Sequence, residues 1–211
     1  MSKEKRGGAE PMSKTRKIII LGDSIFAQIA YEYFTHDSEY EVVAFSVEQR
    51  YLKRETMFDL PIVALESLPE IYPPAEHAVF AAVVFTEANR LRARLFQQSK
   101  EMGYEIASYI SSHAFVSPDA KIGEHCFICE DTVIQRSAEV GDNVVLWSNN
   151  QIGQGAIVKS GCFTLPNTVI SNGAEVGENC IIWANVSVLD GVKIAADRTI
   201  EIGSLITKNV E

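Results

Sequence analysis

The sequence predicts a small doubly wound α/β sheet followed by a triangular parallel β-solenoid. Two observations carry this. Between residues 17 and 110, short apolar runs alternate with segments of helical spacing, the pattern of buried parallel strands joined by crossover helices. From Val116 onward an aliphatic side chain recurs at every sixth position, through Ile152 and Val158 to Ile206. Fifteen of these sixteen positions are Ile, Val or Leu, with Thr164 the exception, and no insertion breaks the phase. A period of six held this long is the period of a hexapeptide β-helix.

In the first half, KIIIL (17–21) is a short apolar run ending at Gly22 and reads as a buried parallel strand. SIFAQIAYEYF (24–34) has helical spacing, with Ser24 as its N-cap. EVVAFSV (41–47), PIVAL (61–65) and AVFAAVVF (78–85) read as further strands. EANRLRARLFQQSKEMGY (87–104) is an amphipathic helix closed at Gly103, and EIASYI (105–110) returns to strand.

In the second half, three hexads make a coil of eighteen residues, and coils stack at about the parallel strand spacing of 4.8 Å. The sixth-position aliphatics face inward. Two residues before each, small side chains recur, among them Cys126, Ala138, Ala156, Cys162, Ala174 and Cys180. Cys126, Cys162 and Cys180 therefore share one interior column, and Cys126-x-x-Cys129 is a packing pattern, with no second pair or histidine at ligand spacing to make a metal site. Gly153-Gln154-Gly155 invites a phosphate-loop reading, but Ile152 and Val158 hold the register, so these glycines belong to a solenoid corner.

Composition bounds the rest. The 211 residues allow one large domain or two small ones, and 46% apolar with 22% charged residues is ordinary for a globular protein. A net charge of -9 without a basic patch argues against nucleic acid as a partner. No apolar run approaches the roughly 20 residues of a membrane span. Residues 1–15 are charged, lack the apolar core of a signal peptide and read as a disordered leader, with Met12 an alternative start. The four cysteines are then expected to be reduced, in a cytoplasm.

The motifs IIILGDS, VVAFSVEQ, YPP at 72–74, N-R-L-R at 89–92, the bridge GYEIASYISSHAFVSPDAKIG, then CFICEDTVIQ, VVLWSNNQIGQGA and SLITKN carry a resemblance. Together they resemble the PglD/NeuD-like sugar-nucleotide N-acyltransferases, hexapeptide transferases with a left-handed β-helix, over residues 16–211. The resemblance implies a Rossmann-like sugar-nucleotide domain over 16–112 and a left-handed β-helix over 113–211. It further implies a homotrimer, a nucleotide-linked amino sugar held by the N-terminal domain, and acyl-CoA (acetyl-CoA or another) in a groove between solenoids. No metal is implied. The chemistry would be N-acylation for surface-polysaccharide (O-antigen or lipopolysaccharide) synthesis.

The family's general-base histidine, two residues after a rung aliphatic, falls on Gln154 here. Glutamine has no useful proton affinity near neutral pH. An amine already partly neutral tolerates that loss better than a hydroxyl, so N-acylation is favoured over O-acylation, with Asn150 and Gln154 orienting the substrate. Of the histidines, His36 and His77 read as surface residues, His113 as the structural histidine at the solenoid entry, and His125 as either a replacement base or an exposed corner residue. Asp131 could approach from a neighbouring subunit. Glu201 replaces the glycine of the family's late I-G-A-G-A rung, and Arg198 breaks the small-residue column; Gly203, Ser204 and Lys208 are the acyl-CoA candidates. For the sugar nucleotide the candidates are Gly22, Ser24, Glu48, Asn89 and Arg92, with helix capping an alternative for the last two. Cys129, Trp147, Leu165, Trp183 and Glu201 form one outward column that would suit a trimer interface or a stacked ligand, the interface being the better fit. The alternative to an enzyme is a catalytically impaired homologue that binds a sugar nucleotide or a partner transferase.

Overall fold

The computed structural model describes residues 13–84 and 89–211. Most of the leader, the last residue of the 78–85 run and the first two of the 87–104 helix lie outside the described residues. The N-terminal sheet contains β1 (Arg16–Leu21), β2 (Tyr40–Val47), β3 (Thr56–Met57), β4 (Leu60–Ala64), β5 (His77–Ala81) and β6 (Glu105–Ile106), in the order β3-β4-β2-β1-β5-β6. All neighbours are parallel except β3 and β4. The chain leaves central β1 toward β2 and β4, then returns to the other side through β5, so the winding reverses between β1 and β5. In such sheets ligands bind beyond the carboxyl ends of the strands at this reversal.

Among the described residues the α-helices are α1 (Ile25–His36), α2 (Leu68–Ile71) and α3 (Arg90–Glu101). Helix α3 places Leu95 in the core with Ile19, Leu21, Val79 and Ala81 on one face of the sheet. Helix α1 covers the other face with Phe26, Ala27, Ala30 and Phe34.

Several expectations are corrected in detail. The β3–β4 hairpin was not foreseen because its turn, Phe58-Asp59, has positive φ at both residues without glycine or asparagine. Strand β5 stops at Ala81. The run 105–110 divides: Glu105–Ile106 completes the α/β sheet, whereas Tyr109–Ile110 pairs with Phe127–Ile128 as the first rung of the solenoid. His77, read as a surface residue, is buried in β5, with Nδ1 3.0 Å from the Pro73 carbonyl.

The solenoid is a stack of two-residue strands in three parallel sheets, each strand pairing with the one eighteen residues on, as Phe127 does with Val145 and Val145 with Phe163. Ile128, Leu146, Ile152, Val158 and Ile170 are fully buried in its interior. The small-residue column lies inside as well, where the Cys126, Cys162 and Cys180 thiols donate to the Gly141, Gly177 and Ala195 carbonyls. Thr164 takes an aliphatic's place because its hydroxyl reaches the Val145 carbonyl, 3.3 Å away. No described helix is long and apolar enough to cross a membrane.

The three outer faces differ. The first, bearing Tyr109, Phe127, Val145 and Phe163, is buried under α1. Phe26 meets Phe127 at 5.2 Å and Trp147 at 5.5 Å between ring centroids, and Phe34 meets Tyr109 at 5.6 Å. Helix α1 is thus sandwiched between its own sheet and the solenoid. The column through Cys129, Trp147 and Leu165 packs against this same core, so Trp147 belongs to a contact within the chain, correcting its assignment to a trimer interface. The second face carries Phe115, Val133, Gln151, Val169, Ser187 and Leu205, with Phe115 59% and Leu205 62% exposed. The third carries the ion pairs Lys121–Glu139, Lys159–Glu175 and Lys193–Glu175.

Corners repeat one conformation. Every sixth residue from His125 and Asp131 through Gly155 to Gly203 has positive φ, the left-handed region that Asn, Asp and Gly enter most easily. Gly155 is one of these, with nothing near the position of a Cβ. Gly153 is glycine for a different reason, since a Cβ there would lie 2.7 Å from the backbone of Asn172 in the next coil. Gly155→Asn is therefore expected to leave the unfolding midpoint nearly unchanged. Gly153→Ala should destabilise by about 1–3 kcal/mol, the usual cost of overpacking, measurable by chemical denaturation.

Candidate functional site

Beyond the carboxyl ends of β1 and β2 lies a cavity of about 120 Å³. Gly22, Asp23, Ser24, Ser46, Glu48 and Tyr51 line it, with Leu21, Val47, Leu65, Leu91 and Leu95 as apolar walls. The Gly22 N–H donates to the Ser46 carbonyl at 2.7 Å, tying the ends of the two strands together. Ser24 holds the N-cap position of α1 but makes no side-chain capping bond, so the first N–H groups of a twelve-residue helix stand beside the cavity.

Charge at the rim is paired. Arg94 forks onto Glu48, Nη1 to Oε1 at 3.1 Å and Nη2 to Oε2 at 3.0 Å, and Arg50 adds a contact at 3.2 Å. The Arg94 hydrogen bonds hold the Glu48 carboxyl below the usual carboxylate range. Arg54 bonds to Asp23 through both the side chain and the main-chain carbonyl. Gly22, Ser24 and Glu48 thus line one cavity.

Asn89 and Arg92 are not. Arg92 is fully buried and turned toward the solenoid, where Nε donates to the Ala81 carbonyl (3.1 Å), Nη1 to the Asn143 carbonyl (2.8 Å) and Nη2 to the His125 carbonyl (2.7 Å). Asn89, 1% exposed, donates from Nδ2 to the Gly161 carbonyl at 2.7 Å. Both join the α/β half to the solenoid, and neither lines the cavity; this corrects their assignment to the sugar nucleotide. The physical reason is that a buried guanidinium must satisfy its donors, and the corner carbonyls of successive coils supply acceptors.

His125 belongs to the same junction. It is 1% exposed, its Nε2 accepts the Ala81 N–H at 2.9 Å, and its Nδ1 lies 2.9 Å from Asn143 Oδ1, which fixes the proton on Nδ1. Its ring stacks on Phe96 at 5.0 Å. Burial first, and the Arg92 charge second, push its pKa well below the usual histidine value. His125 is therefore neither a replacement base nor an exposed corner residue. Arg92, lowered by burial to about 9, remains charged at neutral pH.

At the solenoid corner Gln154 is exposed; its N–H donates to Asn172 Oδ1 at 2.9 Å, and the Asn172 N–H donates to Asp190 Oδ1 at 3.1 Å. Asn150 does not share this corner. Its side chain is fully buried in the solenoid, with Nδ2 bonded to the Trp147 carbonyl and Oδ1 without a partner among the described residues, which rules out its role in orienting a substrate. In the last coils, Gly203 is a left-handed corner, Ser204 Oγ donates to the Glu201 carbonyl at 2.6 Å, and Glu201 and Lys208 are exposed. His36 and His113 are exposed, and so is Asp131.

Ser46 in the cavity wall and Arg94 at its rim are not singled out by the sequence reading. Ser46 sits at the carboxyl end of β2 and is 1% exposed, with its Oγ unpartnered among the described residues. Arg94 lies one turn into α3. The position of Ser46 on the inward face of a strand end was legible; the reach of Arg94 across to Glu48 was not.

Residues 119–154 and 155–190 match the family model described as bacterial transferase hexapeptide (six repeats). The C-terminal half is a hexapeptide-repeat left-handed β-helix. A search of curated proteins by sequence finds no significant match. Among solved structures, the hexapeptide chain is similar to a histidine variant of perosamine N-acetyltransferase from Caulobacter crescentus, in complex with CoA and GDP-perosamine, with a TM-score of 0.82 and 20% identity over 92% of this chain and 90% of that one. It is also similar to the acetyltransferase domain of PglB from Neisseria gonorrhoeae, with a TM-score of 0.80 and 17% identity over 93% and 94% of the two chains. WeeI from Acinetobacter baumannii aligns at a TM-score of 0.63 and 18% identity over 93% of both chains. The likeness spans both domains and establishes the fold.

The junction has a pH signature. His125 is neutral when folded and binds a proton near pH 6.5 when unfolded, so its contribution is fully present above that value and is lost as pH falls below it. Between about pH 6.5 and 5, stability should fall by up to about 1.4 kcal/mol per unit, a window above the ordinary carboxylate range. His125→Gln should flatten the slope there, as read from denaturant unfolding at each pH.

Proposed function

We propose that this chain is an acyl-CoA-dependent N-acyltransferase, with acetyl the simplest donor group, acting on a nucleotide-linked amino-deoxysugar for surface-polysaccharide synthesis. The observation that carries this is the joint architecture. A strand-end crevice and a hexapeptide solenoid are welded into one unit that matches, over nine-tenths of its length, a protein whose structure holds CoA and GDP-perosamine. The nucleotide would occupy the crevice at Gly22, Ser24 and Glu48. Acyl-CoA would lie along the late coils near Gly203, Ser204 and Lys208. The exposed Phe115 and Leu205 of the second face support a homotrimer; the reaction itself would be a cytoplasmic one.

The chemistry follows from what Gln154 can and cannot do. Its amide can accept a hydrogen bond from the sugar amine and orient it, but it takes no proton. The neutral amine attacks the thioester carbonyl, a C–N bond forms, the C–S bond breaks, and the proton goes to solvent or to the departing thiolate. Holding amine and thioester together supplies the larger share of such a rate enhancement, and the missing base is worth about 10²–10⁴-fold. The Caulobacter enzyme with one histidine replaced by alanine still holds CoA and GDP-perosamine, so in that protein both ligands bind without it.

A second reading, a catalytically impaired homologue that binds a sugar nucleotide or a partner transferase, is favoured by exposed Gln154 and Glu201. Release of free thiol from acetyl-CoA in the presence of nucleotide 4-amino sugars separates the two. Turnover by the wild type should rise about tenfold per pH unit up to the amine's own pKa, with no inflection near the histidine range, and Gln154→His should add one. Activity in Gln154→His alone, with an inert wild type, would favour the impaired homologue.

A further inference from the structure

We propose that Arg94 sets the base selectivity of the crevice: it occupies Glu48 and leaves Ser46 as the group that meets the nucleobase. This rests on the crevice being the nucleotide site. The walls of the cavity are Leu21, Val47, Leu65, Leu91 and Leu95, and Ser46 lines it from the end of β2. The Ser46 hydroxyl is buried without a partner among the described residues. Such a group is costly unless a ligand completes it. A hydroxyl donates or accepts by rotation, so it can meet the carbonyl of guanine or uracil, or the amino group of cytosine or adenine, with no strong preference.

Glu48 would behave differently if it were free. An ionised carboxylate only accepts, and guanine presents two adjacent donors, N1–H and the 2-amino group. Uracil offers one N–H flanked by carbonyls, and adenine pairs its amino group with an acceptor nitrogen. A free carboxylate at the rim would therefore select guanine. In this chain the recognition edge is taken. The Arg94 fork places one nitrogen on each oxygen, at 3.1 and 3.0 Å, and Arg50 adds a third donor. Arg94 comes from α3, the helix that also supplies Leu91 and Leu95 to the cavity wall, so the fork and the pocket are built on one rigid element. The crevice then reads the base by shape, Tyr51 and one adaptable hydroxyl, and takes purine and pyrimidine nucleotides alike.

Titration calorimetry with GDP and UDP tests this in the wild type, Arg94→Met, Ser46→Ala and Arg94→Met/Glu48→Gln, with thermal melts confirming that each is folded. The wild-type dissociation constants for GDP and UDP should agree within about threefold. Arg94→Met should shift their ratio toward GDP by about tenfold or more, within the discrimination a bidentate base contact provides, and Glu48→Gln should abolish that shift. Ser46→Ala should weaken both nucleotides by similar factors. A wild-type preference above about tenfold, or a ratio unchanged in folded Arg94→Met, would overturn the role of Arg94. Binding of neither nucleotide by folded wild type would overturn the crevice as a nucleotide site as well.

Discussion

The parallel ladder that closes every eighteen residues is the constraint from which the rest of this molecule follows. Each rung donates and accepts along the stack, as Val133 does to the Asn150 carbonyl and Gln151 to that of Thr168. A one-residue insertion would move every later aliphatic out of the interior and orphan the backbone groups of the coil above. That is why the spacing from Val116 to Ile206 is invariant, and why corners must turn through left-handed residues at the same step. The outer faces inherit this regularity, and their side chains alone decide what each face does.

The first face receives the N-terminal domain, through α1 and an aromatic cluster spanning both halves. The junction is further held by buried and half-buried polar groups. Arg92 is a buried cation with no carboxylate partner among the described residues, and corner carbonyls of two successive coils take its donors. Tyr33 and Ser148 converge on Glu130, and Tyr109 and the Ser112 N–H on Asp37. Breaking any of these would leave a desolvated partner unpaired. Under the proposed function, a fixed relation between crevice and solenoid serves transfer between two separately bound substrates, because positioning is the largest resource left without a base.

Much of this was legible in the sequence, for reasons visible in particular residues. The six-residue phase located the interior, and Gly153 was recognisable as punctuation because Ile152 and Val158 hold register. Gly22, Ser24 and Glu48 lie where a doubly wound sheet binds ligands, which depends only on strand ends. Long-range partnership was hidden. The spacing of His125 from Ile122 marks a corner, and nothing local says that β5 will donate to its ring. Asn89 and Arg92 stand at the start of a helix near a ligand edge, and only the packing of α3 against the solenoid turns them away. Asn150 follows the six-residue phase into the interior, a deduction available from Ala138 and Ala156 that its polar side chain obscured.

The function proposed for this hexapeptide-repeat chain places the whole weight of catalysis on approximation, with Gln154 orienting an amine where a base would otherwise stand. The most direct test is a crystal structure of the wild type with CoA and a nucleotide amino sugar bound together. The expected result is a nucleotide in the crevice at Gly22, Ser24 and Ser46, with the sugar amine within hydrogen-bond distance of a Gln154 side chain and beside the CoA thiol. A nucleotide bound elsewhere, or an amine held away from every Gln154 in the assembly, would contradict it.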